Sequence, residues 1–232
     1  MTSFQYPGAI RYPIAEAFQS IQGEGFFQGL PMFFIRFAGC SVGRPLKEEE
    51  RGGQTPKYIE QCHTVFGNAF LCDTNFQLSR WYDLDDLVNL VPPKIRVCLT
   101  GGEPLIHNLV PFVKALLGRC MGNSISLETS GTILIPTAIT NHCWTTVAPK
   151  INYLQDNLQY ADEIKILVDD RITEKQIEDL VQDIPSTTYI FIQPINKEKE
   201  ISRENLDRCL DILSRHPSWR LSVQLHKFLG VR

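Results

Sequence analysis

The chain has 232 residues, 43% of them hydrophobic, with 23 basic against 26 acidic side chains and a formal net charge of −3. That length suits one large domain or two small ones, and the charge balance removes the electrostatic case for duplex nucleic acid or an anionic membrane as partner. No apolar run approaches the ~20 residues of a membrane span, and Met1–Tyr12 lacks the apolar core of a signal peptide. The seven cysteines therefore read as reduced thiols in a cytoplasmic setting, which turns attention to metal or cluster binding.

In chain order, strands are expected at Met32–Phe37, Ile95–Thr100, Ser124–Glu128, Trp144–Val147, Glu163–Val168, Tyr189–Gln193 and Leu221–Leu225. Most are short continuous apolar runs, as in a parallel sheet covered on its outer face. Helices are expected between them: Asp83–Val91 behind an acidic cap, Leu109–Leu117 on an apolar stripe, Thr173–Gln182 and Ser202–Ser214. Thr173 with Gln176 forms a capping-box pattern, and Ser202 with Asn205 a looser version of it. Strands alternating with helices indicate βαβ units. From Cys40 to Cys72 no period is visible, and Lys47–Gly53 reads as a solvated charged excursion; a loop this long in a compact domain is usually functional.

The strand ends carry the unusual residues: Gly39-Cys40, Thr100-Gly101-Gly102-Glu103-Pro104, Glu128-Thr129-Ser130-Gly131, Ala148-Pro149-Lys150, Gln193-Pro194, and Gln224 with His226 and Lys227, while Lys165 lies within the fifth strand. In (β/α) barrels functional groups collect at the C-terminal ends of strands, and a full eight-unit barrel runs ~250 residues. The expected fold is thus α/β, a partial, open (β/α)6-type barrel with mostly parallel strands, one domain over residues 1–232, with 40–72 as a long loop after the first barrel strand. Cys98, Cys120, Cys143 and Cys209 fall on apolar strand or helix patterns and read as core thiols. Cys40, Cys62 and Cys72 sit in or beside the irregular loop. Three thiolates there suit a [4Fe–4S] cluster with one iron left open; a zinc knot would need a fourth ligand such as His63.

Taken together, these residues resemble the radical S-adenosylmethionine enzymes, and within them the 7-carboxy-7-deazaguanine synthases of the queuosine pathway. The resemblance rests on Phe18-Gln19-Ser20-Ile21-Gln22-Gly23-Glu24-Gly25, on Phe34–Cys40, on Cys72-Asp73-Thr74, on the G-G-E-P turn, on Glu128–Gly131 and on the terminal Gln224–Gly230. It implies that Cys40, Cys62 and Cys72 hold the [4Fe–4S] cluster and that Thr74 contacts Mg2+. It places S-adenosylmethionine against Leu71, Asp73, Gly101, Gly102, Glu103, Ser130, Ala148, Pro149, Lys150, Gln193, Pro194, Ile195 and Asn196. It gives the substrate to Ile21, Gln22, Gly23, Glu24, Arg36, Thr100, His226, Lys227 and the terminal Arg232. The superfamily's usual cysteine spacing is C-x3-C-x2-C; an expanded first gap is part of the pattern the family resemblance implies, whereas nine residues before the last cysteine depart from it. Leu71 stands where an aromatic residue is common, and Ala148 where the family has serine.

The reaction implied is rearrangement of 6-carboxy-5,6,7,8-tetrahydropterin to 7-carboxy-7-deazaguanine with loss of ammonia, fed by a flavodoxin- or ferredoxin-type donor and carried out by a homodimer. A pterin presents a guanine-like edge and a carboxylate; Glu24 with the Gln22–Gly23 backbone suits the first, and Arg36, His226 and Lys227 suit the second. Structural roles compete for each: Arg36 as a paired interior arginine, Glu24 as an acceptor for turn amides, Asp73 as a turn cap. Two other classes stay open at this point, a different radical enzyme such as a glycyl-radical activase and a non-enzymatic zinc-stapled interaction module.

Overall fold

The structure, a computed structural model, describes residues 10–45, 60–72, 74–118, 124–196 and 200–231. Asp73, Arg232, Cys120 and the charged run Lys47–Gly53 lie outside the described residues. In chain order the elements are β1 (Arg11–Ile21), β2 (Pro31–Phe37), β3 (Arg44–Pro45), β4 (Glu60–His63), β5 (Ala69–Cys72), β6 (Arg80–Asp83), α1 (Leu84–Leu90), β7 (Arg96–Gly101), α2 (Val110–Leu116), β8 (Ile125–Thr129), α3 (Thr137–Thr140), β9 (Trp144–Val147), β10 (Glu163–Val168), α4 (Glu174–Val181), β11 (Tyr189–Pro194), α5 (Arg203–Arg215), β12 (Arg220–Leu221) and α6 (Leu225–Leu229).

Among the described residues, nine strands form one sheet in the order β12-β11-β10-β9-β8-β7-β2-β1-β6. The seven from β12 to β2 pair in parallel, and β1 and β6 extend the β2 edge antiparallel. The sheet is therefore open, as expected. Alternation along the strands separates two worlds. Ile35 and Phe37, Val97 and Leu99, Ile125 and Leu127, and Ile164, Ile166 and Val168 point outward into the main core, under Phe112 and Leu116 of α2, Ile177 of α4 and Cys209 and Ile212 of α5. The opposite face carries Cys98, Thr100, Ser126, Glu128, Thr146, Lys165 and Gln193.

Local signals held well for the helices. Thr173 and Gln176 close a reciprocal capping box on α4, and Ser202 accepts from the Asn205 amide on α5. Asp83 stands at the N-cap of α1 without a side-chain cap; its carboxylate faces Arg11 at 3.1 Å instead. The expected strand Leu221–Leu225 is corrected: β12 stops at Leu221, and Leu225–Leu229 turns into the short helix α6. The reason is tertiary, since the Leu225 amide donates to the Gly23 carbonyl at 2.9 Å rather than to a neighbouring strand.

The region after Cys40 is a second correction. Its described part is a three-stranded sheet, β3-β4-β5, in which β4 and β5 form a hairpin. Residues Gln22–Leu30, between β1 and β2, plug the concave side of the barrel. The Phe26 amide donates to Glu163 at the base, and the Phe26, Phe27, Trp144 and Tyr189 rings pack there.

Candidate active site

A cavity of about 460 Å3 opens at the C-terminal ends of the parallel strands, on the polar face of the sheet. Its walls take residues from almost every segment singled out in the sequence. Ile21, Gln22, Gly23, Glu24, Arg36, Thr100 and His226 line it, as do Gly101, Gly102, Ser130, Ala148, Lys150 and Gln193–Asn196, and so do Cys40, Cys62, Leu71, Cys72 and Thr74. Among the described residues, three expected ones are not on the wall: Pro149, Lys227 and Glu103.

Glu103 lies behind the wall, among donors of the protein itself. It is fully buried, and its carboxylate accepts from the Leu105 amide (3.0 Å), the Thr129 hydroxyl (2.9 Å), the Ser130 amide (2.7 Å) and the Ser130 hydroxyl. It is the bolt that fixes the G-G-E-P turn to the end of β8, with its acceptor capacity taken up by the protein. Gly102 in the same turn is required by close approach. A Cβ there would lie 2.3 Å from the Gly39 carbonyl oxygen and 2.6 Å from Cys40 Cβ, so the turn seats the backbone around the first cysteine.

The cysteines converge through strand register. In the β4–β5 hairpin Glu60 pairs with Cys72 and Cys62 with Phe70, so Cys62 and Cys72 share one face as diagonal neighbours. Diagonal positions sit ~7–8 Å apart. The shared face brings the two thiols to the side of the hairpin that lines the cavity. On the other side β3 pairs Arg44 with Gln61, and one step further in that register Gly43 faces Cys62. C-x3-C spacing from Cys40 would put a second cysteine at position 44, which is Arg44 here. The hairpin thus carries the Cys62 thiol back beside the place where the short spacing would put it. The Gly43 and Val42 amides point at the Cys40 sulfur at 3.2 and 3.4 Å. Cys98 and Cys209 are buried elsewhere; burial pushes the Cys98 thiol well up and that of Cys209 to about 12.

Deeper in the cavity the charged side chains are paired. Lys165 of β10 forms an ion pair with Glu24, which also accepts from the Gln224 amide at 2.9 Å. Burial alone would raise Glu24, but the Lys165 charge and the hydrogen bonds from Lys165 and Gln224 outweigh it and hold the carboxyl at about 2. Glu128 accepts from Gln22 Nε2 and Thr100 Oγ1, both at 2.9 Å. Arg36 faces Glu16 across β1 and β2 at 3.3 Å. The His226 ring packs so closely on Gly23 that a Cβ there would meet Nδ1 at 1.9 Å. Glu16, Phe70 and Phe76 also line the cavity and were not singled out from the sequence. An i, i+2 relation between Glu16 and the Phe18 signature was the available signal for Glu16; for the two phenylalanines there was none.

An open parallel α/β barrel with three cysteines and a glycine turn at the mouth of its polar cavity is the architecture of a radical S-adenosylmethionine enzyme. No protein-family model matches the chain. Individual relatives do: it is 32% identical over 238 residues to 7-carboxy-7-deazaguanine synthase of Escherichia coli K12, covering 96% of this chain and all of the relative. The Synechocystis protein of the same name is 32% identical over 226 residues, with 96% and 95% coverage. Among solved structures, QueE from Escherichia coli superposes with a TM-score of 0.68 at 29% identity, over 93% of this chain and 95% of that one. The chain belongs to the 7-carboxy-7-deazaguanine synthase family. Its chemistry is accordingly that of S-adenosylmethionine and an iron–sulfur cluster, and the zinc-stapled module and the glycyl-radical activase are set aside.

Proposed function

We propose that this chain is a lyase that converts 6-carboxy-5,6,7,8-tetrahydropterin to 7-carboxy-7-deazaguanine and ammonia. The observation that carries the reading is the meeting, in one cavity, of the three loop cysteines with the Gln22–Glu24 turn and the C-terminal Gln224–His226 segment. Cys40, Cys62 and Cys72 hold the [4Fe–4S] cluster, with Thr74 beside them as the Mg2+ ligand; an oxygen donor plus substrate groups and water suits that ion. Bound there, the cluster and S-adenosylmethionine supply the radical that removes a substrate hydrogen.

The chain's own residues bind and orient. Gly101, Gly102, Ser130, Ala148, Lys150 and Gln193–Asn196 receive the cofactor along successive strand ends. Asn196 has a buried carbonyl oxygen that lacks a hydrogen-bond partner among the described residues, an acceptor suited to an amino group. Gln22, Glu24 and Thr100 present fixed donors and acceptors to the pterin edge, and Arg36 offers its guanidinium to the carboxylate. Because Glu24 is held ionised by Lys165, it accepts hydrogen bonds across the working pH range and serves as no proton donor. A flavodoxin- or ferredoxin-type electron donor and a homodimeric state belong to the same proposal.

Anaerobic reconstitution with iron and sulfide, followed by S-adenosylmethionine and the carboxypterin, tests the reading. Carboxydeazaguanine and ammonia are expected in equal amounts. A protein that cleaves the cofactor yet leaves the pterin intact overturns it. Alanine at Cys40, Cys62 or Cys72 should abolish cofactor cleavage, and Cys209→Ala should keep it.

A further inference from the structure

A short C-x3-C-x2-C loop holds its thiols together by covalent proximity. Here 21 residues separate Cys40 from Cys62, and nine separate Cys62 from Cys72, so proximity along the chain holds nothing. The structure supplies a different restraint at the far end of the hairpin. The β4–β5 turn is closed on itself, with the Thr64 amide donating to the Asn68 carbonyl at 2.8 Å and the Asn68 amide to the Thr64 hydroxyl at 3.1 Å. It is then tied to the opposite side of the barrel. Thr64 bridges to Lys150 just past β9, and Val65 and Phe66 pack against the main core. Asn68 Nδ2 donates to Asp169 Oδ1 at 3.1 Å, immediately beyond β10. Asp169 is 5% exposed and is itself aimed by the Arg171 amide (3.0 Å) and guanidinium (2.9 Å).

The hairpin therefore spans the cavity mouth from the β2 end, where Cys40 sits, to the ends of β9 and β10. We propose that Asn68 is a positioning residue. Its bond to Asp169 fixes the β4–β5 hairpin so that the Cys62 and Cys72 thiols face Cys40, a tertiary latch doing what short spacing does elsewhere. The inference rests on Cys62 and Cys72 being cluster ligands. Asn68 acts through them, since its amide is committed to Asp169 at the hairpin's far end.

The test begins on the metal-free chain. In Asn68→Ala, amide exchange across residues 60–72 and alkylation of the buried Cys62 thiol should both rise roughly tenfold or more, as loss of a charge-assisted bond from a local opening equilibrium predicts. The thermal midpoint should stay near wild type, because the main core is untouched. After reconstitution, the reduced-cluster EPR signal should shift and iron should be lost faster to a chelator. Asn68→Asp sets two carboxylates face to face and should loosen the hairpin further; adding Asp169→Asn restores an amide–carboxylate pair and should bring exchange back toward wild type. Exchange and alkylation unchanged in both Asn68 variants would overturn the latch. The ligand reading fails separately: full iron content and unaltered EPR in Cys62→Ala remove Cys62 from the cluster, whatever the hairpin does.

Discussion

Glu24 and Lys165 illustrate how a buried charge is made tolerable. Each is desolvated, and each removes the other's penalty through direct contact and surrounding hydrogen bonds; removing one partner leaves an uncompensated charge. The carboxyl falls from 4.5 to about 2 on folding. Its contribution to stability, about 3 kcal/mol by linkage, is complete above pH 4.5 and is lost as pH falls toward 2. Lys165 moves the other way, upward, so its share persists through the neutral range and is lost only at high pH. Urea midpoints of wild type and Glu24→Gln should differ clearly at pH 7, and the gap should close below pH 4.5. Glu103→Ala should be worse: it strands the Leu105 and Ser130 amides and two hydroxyls in a buried turn, and at ~1–3 kcal/mol for each unsatisfied group the loss should exceed about 3 kcal/mol in chemical denaturation.

At the scale of elements, the G-G-E-P turn serves the first cysteine. Gly102→Val would push a branched side chain into the Gly39 carbonyl and Cys40 Cβ, so iron content after reconstitution should fall along with affinity for the cofactor. Normal iron with weakened cofactor binding would mean that the turn touches the cofactor alone. The parallel strands were legible because their runs are apolar and bounded by turn residues, and α4 because Thr173 and Gln176 mark its start. Strand β1 was not legible: Arg11–Ile21 mixes Arg, Pro, Glu, Gln and Ser with apolar residues, and it is a strand because β2 and β6 flank it. The hairpin escaped for a related reason. Glu60–His63 and Ala69–Cys72 carry no apolar alternation, and their register is set by the barrel they lean on. Several motif residues read from the sequence, Gln22–Glu24, Cys72 and His226 among them, fall on the cavity wall, while Lys227 does not. Glu103 shows what the sequence hides: nothing in its motif announces the four protein donors that surround its carboxylate.

Across the whole molecule, the Gln22–Gly25 turn and the Ser222–His226 segment, distant in sequence, meet beside the cavity. Residues Gln22–Glu24 are held by Glu128, Lys165 and Gln224, and the Gly25 amide by the Ser222 hydroxyl at 3.2 Å. Gly23→Ala tests this junction. Its Cβ would displace the His226 ring, so the Michaelis constant for the pterin should rise by roughly tenfold or more, the equivalent of one good polar contact, while cofactor cleavage without substrate continues. An unchanged constant would separate His226 from substrate binding. No helix of the described residues is long and apolar enough to cross a membrane.

The same junction imposes an order on biogenesis. All three thiols are made by residue 72, whereas the segment that completes the polar cavity, Ser222 to His226, emerges some 150 residues later. At ~5–20 residues per second of synthesis, roughly 8–30 s separate the two. During that interval the chain carries the three loop cysteines without the segment that closes the cavity. A chain truncated before Ser222 should therefore fail to hold carboxypterin in equilibrium dialysis, whereas one that includes Ser222–His226 should hold it.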